Sequence, residues 1–377
     1  MRRVAVAVSV GVLVLGLGAC GDGSGLPDGR FVSADGSRLV LGETPFVFVG
    51  VNAWSAASDP AIFDCSGSAM KPDFDHQAHL DQMFSDLERL GANAVRFFAF
   101  QSYAGGGSDL SPIRRVIETA AKHDIRVIPV LGNHYADCDY YPSYSVDSGF
   151  TKDTAWYASG YKRPYSGYSM SYRDYVASVV DEFKDDPTIL MWQLVNEAQT
   201  STHSDGAQLR AFAADVAGLV KSIDANHLVS IGTQGTGQPG IAGPDYRALH
   251  EISTIDVVEA HDYSEQAEPL PGFPDCRWNC VWASLVDARD LGKPFFIGEA
   301  GIEAGDAAVC ALDREQRADY LGAKVSALFR EGGVGYLLWD YSEGTAGKPC
   351  DYALGPGDPA MRRMRSLVQA MADRDPS

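Results

Sequence analysis

Two glutamates stand where a short apolar run gives way to polar residues: Glu197 in Met191–Thr200, "MWQLVNEAQT", and Glu299 in Phe295–Gly301, "FFIGEAG". Each run reads as a strand buried on both faces. Two carboxylates facing each other across a cleft can cleave a glycosidic bond. In the retaining version one attacks the anomeric carbon while the other, protonated, donates to the departing oxygen, with the groups ~5–5.5 Å apart. The nucleophile needs donors and positive charge to stay ionised, and the acid needs burial or a nearby anion to hold its proton. The duller alternative is that each Glu caps the helix that follows it. Glu303 and Glu259 are rival third carboxylates, but Glu299 follows its strand directly.

The pair, 102 residues apart in sequence (299 less 197), meets only if the fold brings the strand ends together. The chain alternates short apolar strands with amphipathic helices. Expected strands cover Phe46–Asn52, Ala94–Phe98, Arg126–Leu131, Ile189–Leu194, Leu228–Ile231, Val257–His261, Phe295–Gly298 and Gly335–Trp339. Expected helices include one presenting Leu80, Met83, Phe84, Leu87 and Leu90 and ending at Gly91, then Ser111–Lys122, Gly206–Ile223, Asp245–Glu251, Val281–Leu291 and Asp313–Arg330. Arg30–Glu43 alternates around Asp35-Gly36, which predicts an N-terminal β-hairpin. This order fits an α/β fold, a (β/α)8 TIM barrel, better than an open doubly wound sheet. Catalytic residues of such a barrel sit at the carboxyl ends of its strands.

Those ends gather Trp54, Arg96, Asn133-His134, Asn196-Glu197, His261, Tyr263, Glu299 and Trp339. Taken singly, Arg96 could bridge surface carboxylates, His134 and His261 could be structural, and Trp339 could be core; their joint occurrence favours a site. The stretch after the third strand carries Tyr135, Tyr140, Tyr141, Tyr144, Trp156, Tyr157, Tyr161, Tyr165, Tyr168 and Tyr172. Part of it reads as a miniature core, and Trp156 and Tyr157 are expected as stacking platforms for sugar rings. Gly232–Gly240, "GTQGTGQPG", lacks the Lys-Ser/Thr of a phosphate loop, and no Gly-x-Ser-x-Gly elbow is present.

The motifs "VRFF", "GNHY", "WQLVNEAQ", "HDY", "FIGEAG" and "LLWDY", in this order, resemble glycoside hydrolase family 5 of clan A over nearly the whole chain. The resemblance implies a retaining hydrolase of β-linked glycans, with Glu197 as acid/base and Glu299 as nucleophile. It further implies that Arg96 and Tyr263 donate to the nucleophile, that His134 and His261 border the sugar being cut, and that His261 lies near the acid/base. Asn196 would bond the sugar 2-hydroxyl, an interaction that strengthens in the oxocarbenium-like state, and Trp339 would floor the subsite. "VRFFAF" and "VGVNAW" are similar to the β-mannanase branch, whereas "GNHY" and "NEAQ" depart from the commoner forms. The expected activity is therefore endo-β-mannanase, with β-1,4-glucan second and other β-glycans open. A barrel that binds sugar without cutting it and a transglycosylase are the competing readings; the intact set of carboxylates with Arg, His and Tyr speaks against the first. The chemistry calls for no metal or organic cofactor, and a monomer is expected.

The first residues are read as an export signal: Arg2 and Arg3, then an apolar run from Val4 to Leu17, too short for the ~20 residues a spanning helix needs. Leu17-Gly18-Ala19-Cys20 resembles a lipobox, which implies residues 1–19 as signal, Cys20 as a lipidated N-terminus, residues 20–29 as a tether and residues 30–377 as one catalytic domain. The alternative is a plain secreted protein with a chance Cys20. Without Arg2 and Arg3, 29 of the 31 basic residues remain against 50 acidic ones, a balance of −21. Nucleic acid is excluded as a partner, and a membrane is expected only through the lipid. Cys65, Cys138, Cys276, Cys280, Cys310 and Cys350 are an even set in an exported chain, expected to staple long loops on the catalytic face. The pairing Cys65–Cys138, Cys276–Cys280 and Cys310–Cys350 is one of 15 possible for six cysteines. A zinc site lacks the clustered Cys/His spacing it would need.

Overall fold

The computed structural model describes residues 31–65, 74–140, 152–263, 270, 281–342 and 348–372. Cys20 with its signal and tether, Tyr141, Tyr144, Cys276 and Cys280 lie outside them.

The expected hairpin is present as β1 (Val32–Asp35) and β2 (Arg38–Leu41), extended by β3 (Thr44–Phe46) into a three-stranded antiparallel meander. Gly36 supplies the left-handed turn residue at φ 59°. Eight parallel strands follow: β4 (Phe48–Asn52), β5 (Ala94–Phe98), β6 (Arg126–Val130), β7 (Met191–Gln193), β8 (Leu228–Ser230), β9 (Val258–Asp262), β10 (Phe295–Ala300) and β12 (Gly335–Leu338). They hydrogen-bond in the order β8-β7-β6-β5-β4-β12-β10-β9. The barrel closes between β8 and β9 through Asp256 N–H to Val229 O and His261 N–H to Gln234 O. β11 (Ala304–Gly305) and β13 (Cys350–Asp351) form a small antiparallel pair beyond the strand ends.

The barrel interior is divided by depth. Near the amino ends of the strands Phe48, Ala94, Ile128, Met191, Leu228, Phe296 and Leu337 form an apolar cluster, and Val32 and Leu39 of the meander cover it. Near the carboxyl ends the buried side chains are Asn52, Arg96, Gln193, Ser230, Glu259, His261 and Glu299.

Helices α1 (His76–Arg89), α2 (Ser111–Ala121), α5 (Gly206–Ile223), α6 (Pro244–His250), α7 (Val281–Leu291) and α8 (Arg314–Arg330) match the sequence expectation closely. Their starts follow local chemistry: Asp75 caps α1, Pro112 occupies the first turn of α2, and Asp313 with Gln316 forms a capping box on α8. Short α3 (Thr154–Ala158), α4 (Tyr172–Phe183) and α9 (Pro359–Ala372) are additional. In α4, Tyr172, Tyr175, Val176, Val179, Val180 and Phe183 are buried at helical spacing behind the Ser171 cap.

Among the described residues, two disulfides join Cys65 to Cys138 and Cys310 to Cys350. Both tie together loops on the carboxyl-end face: those after β4 and β6, and those after β10 and β12. The loop after β6 is also held by a buried ion pair. Asp139 accepts from Lys152 Nζ at 2.6 Å, from Asn133 N–H at 2.9 Å and from Tyr168 Oη at 3.2 Å, while Lys152 also donates to the Asn133 carbonyl. Removing one partner of a buried pair costs about 3–5 kcal/mol because the other charge is left uncompensated. Lys152→Met is therefore expected to lower the thermal midpoint by about 10 °C, measured by calorimetry or circular dichroism; an unchanged midpoint contradicts this role.

Candidate active site

Arg96, on β5 and wholly buried, is the centre of the upper layer. Its Nε donates to Gln193 Oε1 at 2.8 Å, Nη1 to Asn52 Oδ1 at 2.8 Å and Glu299 Oε1 at 2.6 Å, and Nη2 to Asn196 Oδ1 at 2.6 Å. Three barrel strands or their ends, β4, β7 and β10, thus present four acceptors to one guanidinium, whose rigid fork suits such a set. Asn52 is turned by donating to the Gly298 carbonyl at 2.9 Å, and Asn196 by donating to Asn133 Oδ1 at 3.1 Å.

Glu299 sits in a bulge. The ladder from β10 to β9 shifts register between Ile297 and Glu299, and the ladder to β12 shifts between Ile297 and Ala300. Such a bulge re-aims a side chain at the point where it occurs, and here it turns Glu299 toward Arg96. Tyr263 Oη donates to the other carboxylate oxygen at 2.9 Å. Burial and the Glu197 charge push the Glu299 carboxyl above its ordinary range, a rise that His261, Arg96 and the Tyr263 hydrogen bond partly oppose.

Glu197 lies beyond the end of β7, held by backbone bonds from Val195 N–H to Ile231 O and from Asn196 N–H to Gly132 O. Its φ is 53°, a left-handed conformation sparsely populated by residues other than glycine and associated with functional sites. Its Oε1 is 2.9 Å from His261 Nδ1. Burial disfavours its charge, but the hydrogen bond and charge of His261, the Gln234 hydrogen bond and the charge of Arg96 together outweigh burial and hold the carboxyl below its ordinary range. One oxygen each of Glu197 and Glu299 and a ring nitrogen of His261 all lie within 4.8 Å of one another. That separation suits the retaining geometry and leaves no room for the water an inverting pair holds between its carboxylates. Polar hydrogens of Arg96, Tyr263 and His261 already engage these oxygens, and nothing in the donor set asks for a metal.

Burial would strip the charge from His261, yet Glu299, Glu197 and Glu259 surround the ring and raise its pKa to about 10. The proton of the Glu197–His261 pair therefore rests on the imidazole in the free site. His134, beside it, is lowered to about 4 by burial and by Lys152, so it is a neutral ring; Tyr157 Oη lies 3.4 Å from its Nδ1.

Trp54 and Trp339, both half-buried, flank Phe98 with ring centroids 6.4 and 6.3 Å away, and Trp54 Nε1 donates to Asp340 Oδ2 at 3.0 Å. This aromatic wall adjoins Arg96, whose Cζ is 5.7 Å from the Phe98 centroid. Trp156 and Tyr157 are not on it, contrary to the sequence expectation. Trp156 is 5% exposed and packs on Tyr161, Tyr165, Tyr172 and Phe212; Tyr157 is fully buried against Phe212 and supports His134 from behind. They form the miniature core of the loop after β6. Glu303 is exposed, whereas Glu259 is buried beneath the carboxylate pair. Gln193, Asn52, Tyr135 and Gln234 are further members that the sequence did not single out as site residues; Gln234 Nε2 donates to Tyr135 Oη at 3.1 Å, and both groups interact with Glu197.

The family model described as cellulase (glycosyl hydrolase family 5) matches residues 42–345, which contain every polar group of this site. The chain belongs to glycosyl hydrolase family 5. It is therefore a retaining glycoside hydrolase. Similar curated proteins of known name include mannan endo-1,4-beta-mannosidase 7 of Arabidopsis thaliana, 26% identical over 83% of this chain and 78% of the relative. Mannan endo-1,4-beta-mannosidase 1 of Oryza sativa subsp. japonica is 27% identical over 82% and 78%. The endo-1,4-beta-mannanase structure from Rhizomucor miehei superposes with a TM-score of 0.66 at 22% identity, covering 92% of this chain and all of that one. That of Thermotoga petrophila gives 0.63 at 18% identity, over 86% of this chain and 100% of that one. These two structures establish the shared barrel fold.

In a family 5 site the ionised form of one carboxylate must attack. Tyr263→Phe removes a donor to the charged form of Glu299, so the carboxyl should titrate higher by about one pH unit. The acidic limb of kcat/KM is then expected to move to higher pH by that amount, with activity recovering on the alkaline side; an unmoved limb shows that Tyr263 does not set the Glu299 charge.

Proposed function

We propose that this chain is an endo-acting retaining β-mannanase in which Glu299 is the nucleophile and Glu197 the acid/base. The observation that carries the roles is their unequal surroundings: Glu299 accepts from a guanidinium and a phenol, whereas Glu197 is paired with a titratable imidazole. A carboxylate fixed by two donors is ready to attack, and a carboxylate joined to a proton reservoir is ready to donate.

The steps follow from the geometry. Glu299 forms a bond to the anomeric carbon as the glycosidic oxygen departs with a proton from Glu197; water then gives Glu197 a proton while its oxygen displaces Glu299 with net retention. Arg96 opposes the upward push of burial on Glu299 and fixes Asn196 by its carbonyl, leaving an amide hydrogen of Asn196 for the sugar 2-hydroxyl. Trp339, Phe98 and Trp54 supply an apolar wall for the sugar faces. The substrate class is supported by the mannosidase names of the relatives that cover most of the chain. β-1,4-Glucan is the second reading, favoured by the cellulase description of the matching family model.

Product analysis on soluble mannans, glucans and xylans, with Glu299→Gly as the inactive control, tests the substrate: internal cleavage of mannan is expected, and preference for glucan overturns the first reading. For the roles, Glu197→Ala should lose activity on natural glycans by about 10²–10⁴-fold, the worth of general acid catalysis, and far less on aryl glycosides with good leaving groups. Equal losses on both contradict the acid/base role.

A further inference from the structure

Glu259 is a wholly buried carboxylate two residues before His261 on the same strand, so both side chains point into the barrel. Its Oε2 accepts from Gln193 Nε2 and from Ser230 Oγ, each at 2.6 Å. Its Oε1 has no hydrogen-bond partner, and neither has His261 Nε2; the two atoms are 3.4 Å apart, facing each other. Space for this carboxylate comes from Gly298, the residue before Glu299: a Cβ there would lie 1.9 Å from Glu259 Oε1. Gln193 in turn accepts from Arg96 Nε. Glu259 is thus joined to Glu197 through His261 and to Glu299 through Gln193 and Arg96.

We propose that Glu259 is a positioning residue for proton transfer, keeping a proton on His261 Nε2 throughout turnover so that Nδ1 always faces Glu197 as the atom that gains and loses one. The assignment rests on Glu197 being the acid/base.

In the resting site His261 is an imidazolium beside Glu197, with Glu259 and Glu299 also within ion-pair distance of its ring. During the first displacement the C–O bond to the leaving group breaks, Glu299 bonds to the anomeric carbon, and the leaving oxygen takes a proton from Glu197, which receives the Nδ1 proton. His261 becomes neutral with its remaining hydrogen on Nε2, toward Glu259. In the second displacement the attacking water's proton returns through Glu197 to Nδ1, the water oxygen bonds to the anomeric carbon, and the ester bond to Glu299 breaks. The other tautomer, with a bare Nε2 against a carboxylate, would place two acceptors face to face in a dry interior and leave Nδ1 unable to take the proton back.

The charged and titratable groups around this ring are Glu197 after β7, Glu299 on β10, Arg96 on β5, and Tyr263 just beyond β9; His134 and Tyr135 face Glu197 from the loop after β6, and His250 of α6 is coupled to Glu259. Among the three carboxylates close to His261, Glu259 alone has no part in bond making, so its charge can be removed without deleting a reacting group.

Glu259→Gln should move the alkaline limb of kcat/KM down by about one pH unit or more, because the imidazolium loses a counter-charge. The loss should be larger for natural glycans than for aryl glycosides with good leaving groups. A loss uniform in pH and in leaving group, with the limb unmoved, would show a merely structural carboxylate and overturn the proposal. Nitrogen NMR of the ¹⁵N-histidine-labelled native enzyme gives a test that does not need the variant to fold: at pH 8 both His261 ring nitrogens should be protonated, with the signal assigned by its loss in His261→Asn. A neutral His261 ring at that pH overturns the proposal. If the ring is protonated but Glu197→Ala shows no leaving-group dependence, the acid/base assignment has failed and the proposal falls with it, for a reason visible in that separate experiment.

Discussion

A guanidinium sealed inside a barrel must be matched by acceptors or it will not stay there. Taking a charge from water into the interior costs several kcal/mol even after relaxation, and Arg96 meets that cost with one carboxylate and three amide oxygens drawn from three different strands or their ends. Those bonds make the carboxyl-end layer of the barrel a connected polar network, while the layer beneath it, from Phe48 to Leu337, is apolar and sealed by the N-terminal meander. The separation lets the site carry two cations and three carboxylates without asking them to hold the fold together. Position and charge are coupled throughout: moving Arg96 would release Glu299, Asn196 and, through Gln193, Glu259.

The network also explains why two chemically identical side chains can do different work. Glu299 is buried at the bulge of β10, between Arg96 and Tyr263, and Glu197 stands in a left-handed conformation beside a protonated ring. Burial presses on both carboxyls; their partners differ. One is surrounded by fixed donors, the other by a group that can pass its proton on.

Much of this was legible in the sequence because it follows from periodicity and punctuation. Short, mostly apolar runs gave strands such as Ala94–Phe98 at their observed limits, and the alternation with Gly206–Ile223 and Val281–Leu291 implied the barrel that brings Glu197 to Glu299. What stayed hidden depends on geometry that no spacing encodes. The bulge at Glu299, the positive φ at Glu197 and the Glu259–Gln193–Arg96 connection arise only when neighbouring strands are in register. Trp156 has the chemistry of a cleft residue, an aromatic in a long loop after a barrel strand; the amphipathic repeat of Tyr172–Phe183 instead forms a helix, and Trp156 packs on Tyr172 at its start. Tyrosines made that helix resemble a loop, although its spacing from Tyr172 to Phe183 carried the signal.

The claim on which the rest depends is that Glu299, and no other carboxylate of the layer, bonds to the sugar. An activated 2-deoxy-2-fluoro-β-mannoside slows breakdown of the glycosyl–enzyme intermediate, so the attached residue can be located by peptide mass spectrometry after proteolysis. The account predicts one fluoromannosyl group, on Glu299, lost on transfer to an acceptor sugar as activity returns. A label on Glu197, Glu259 or Glu303 would contradict it.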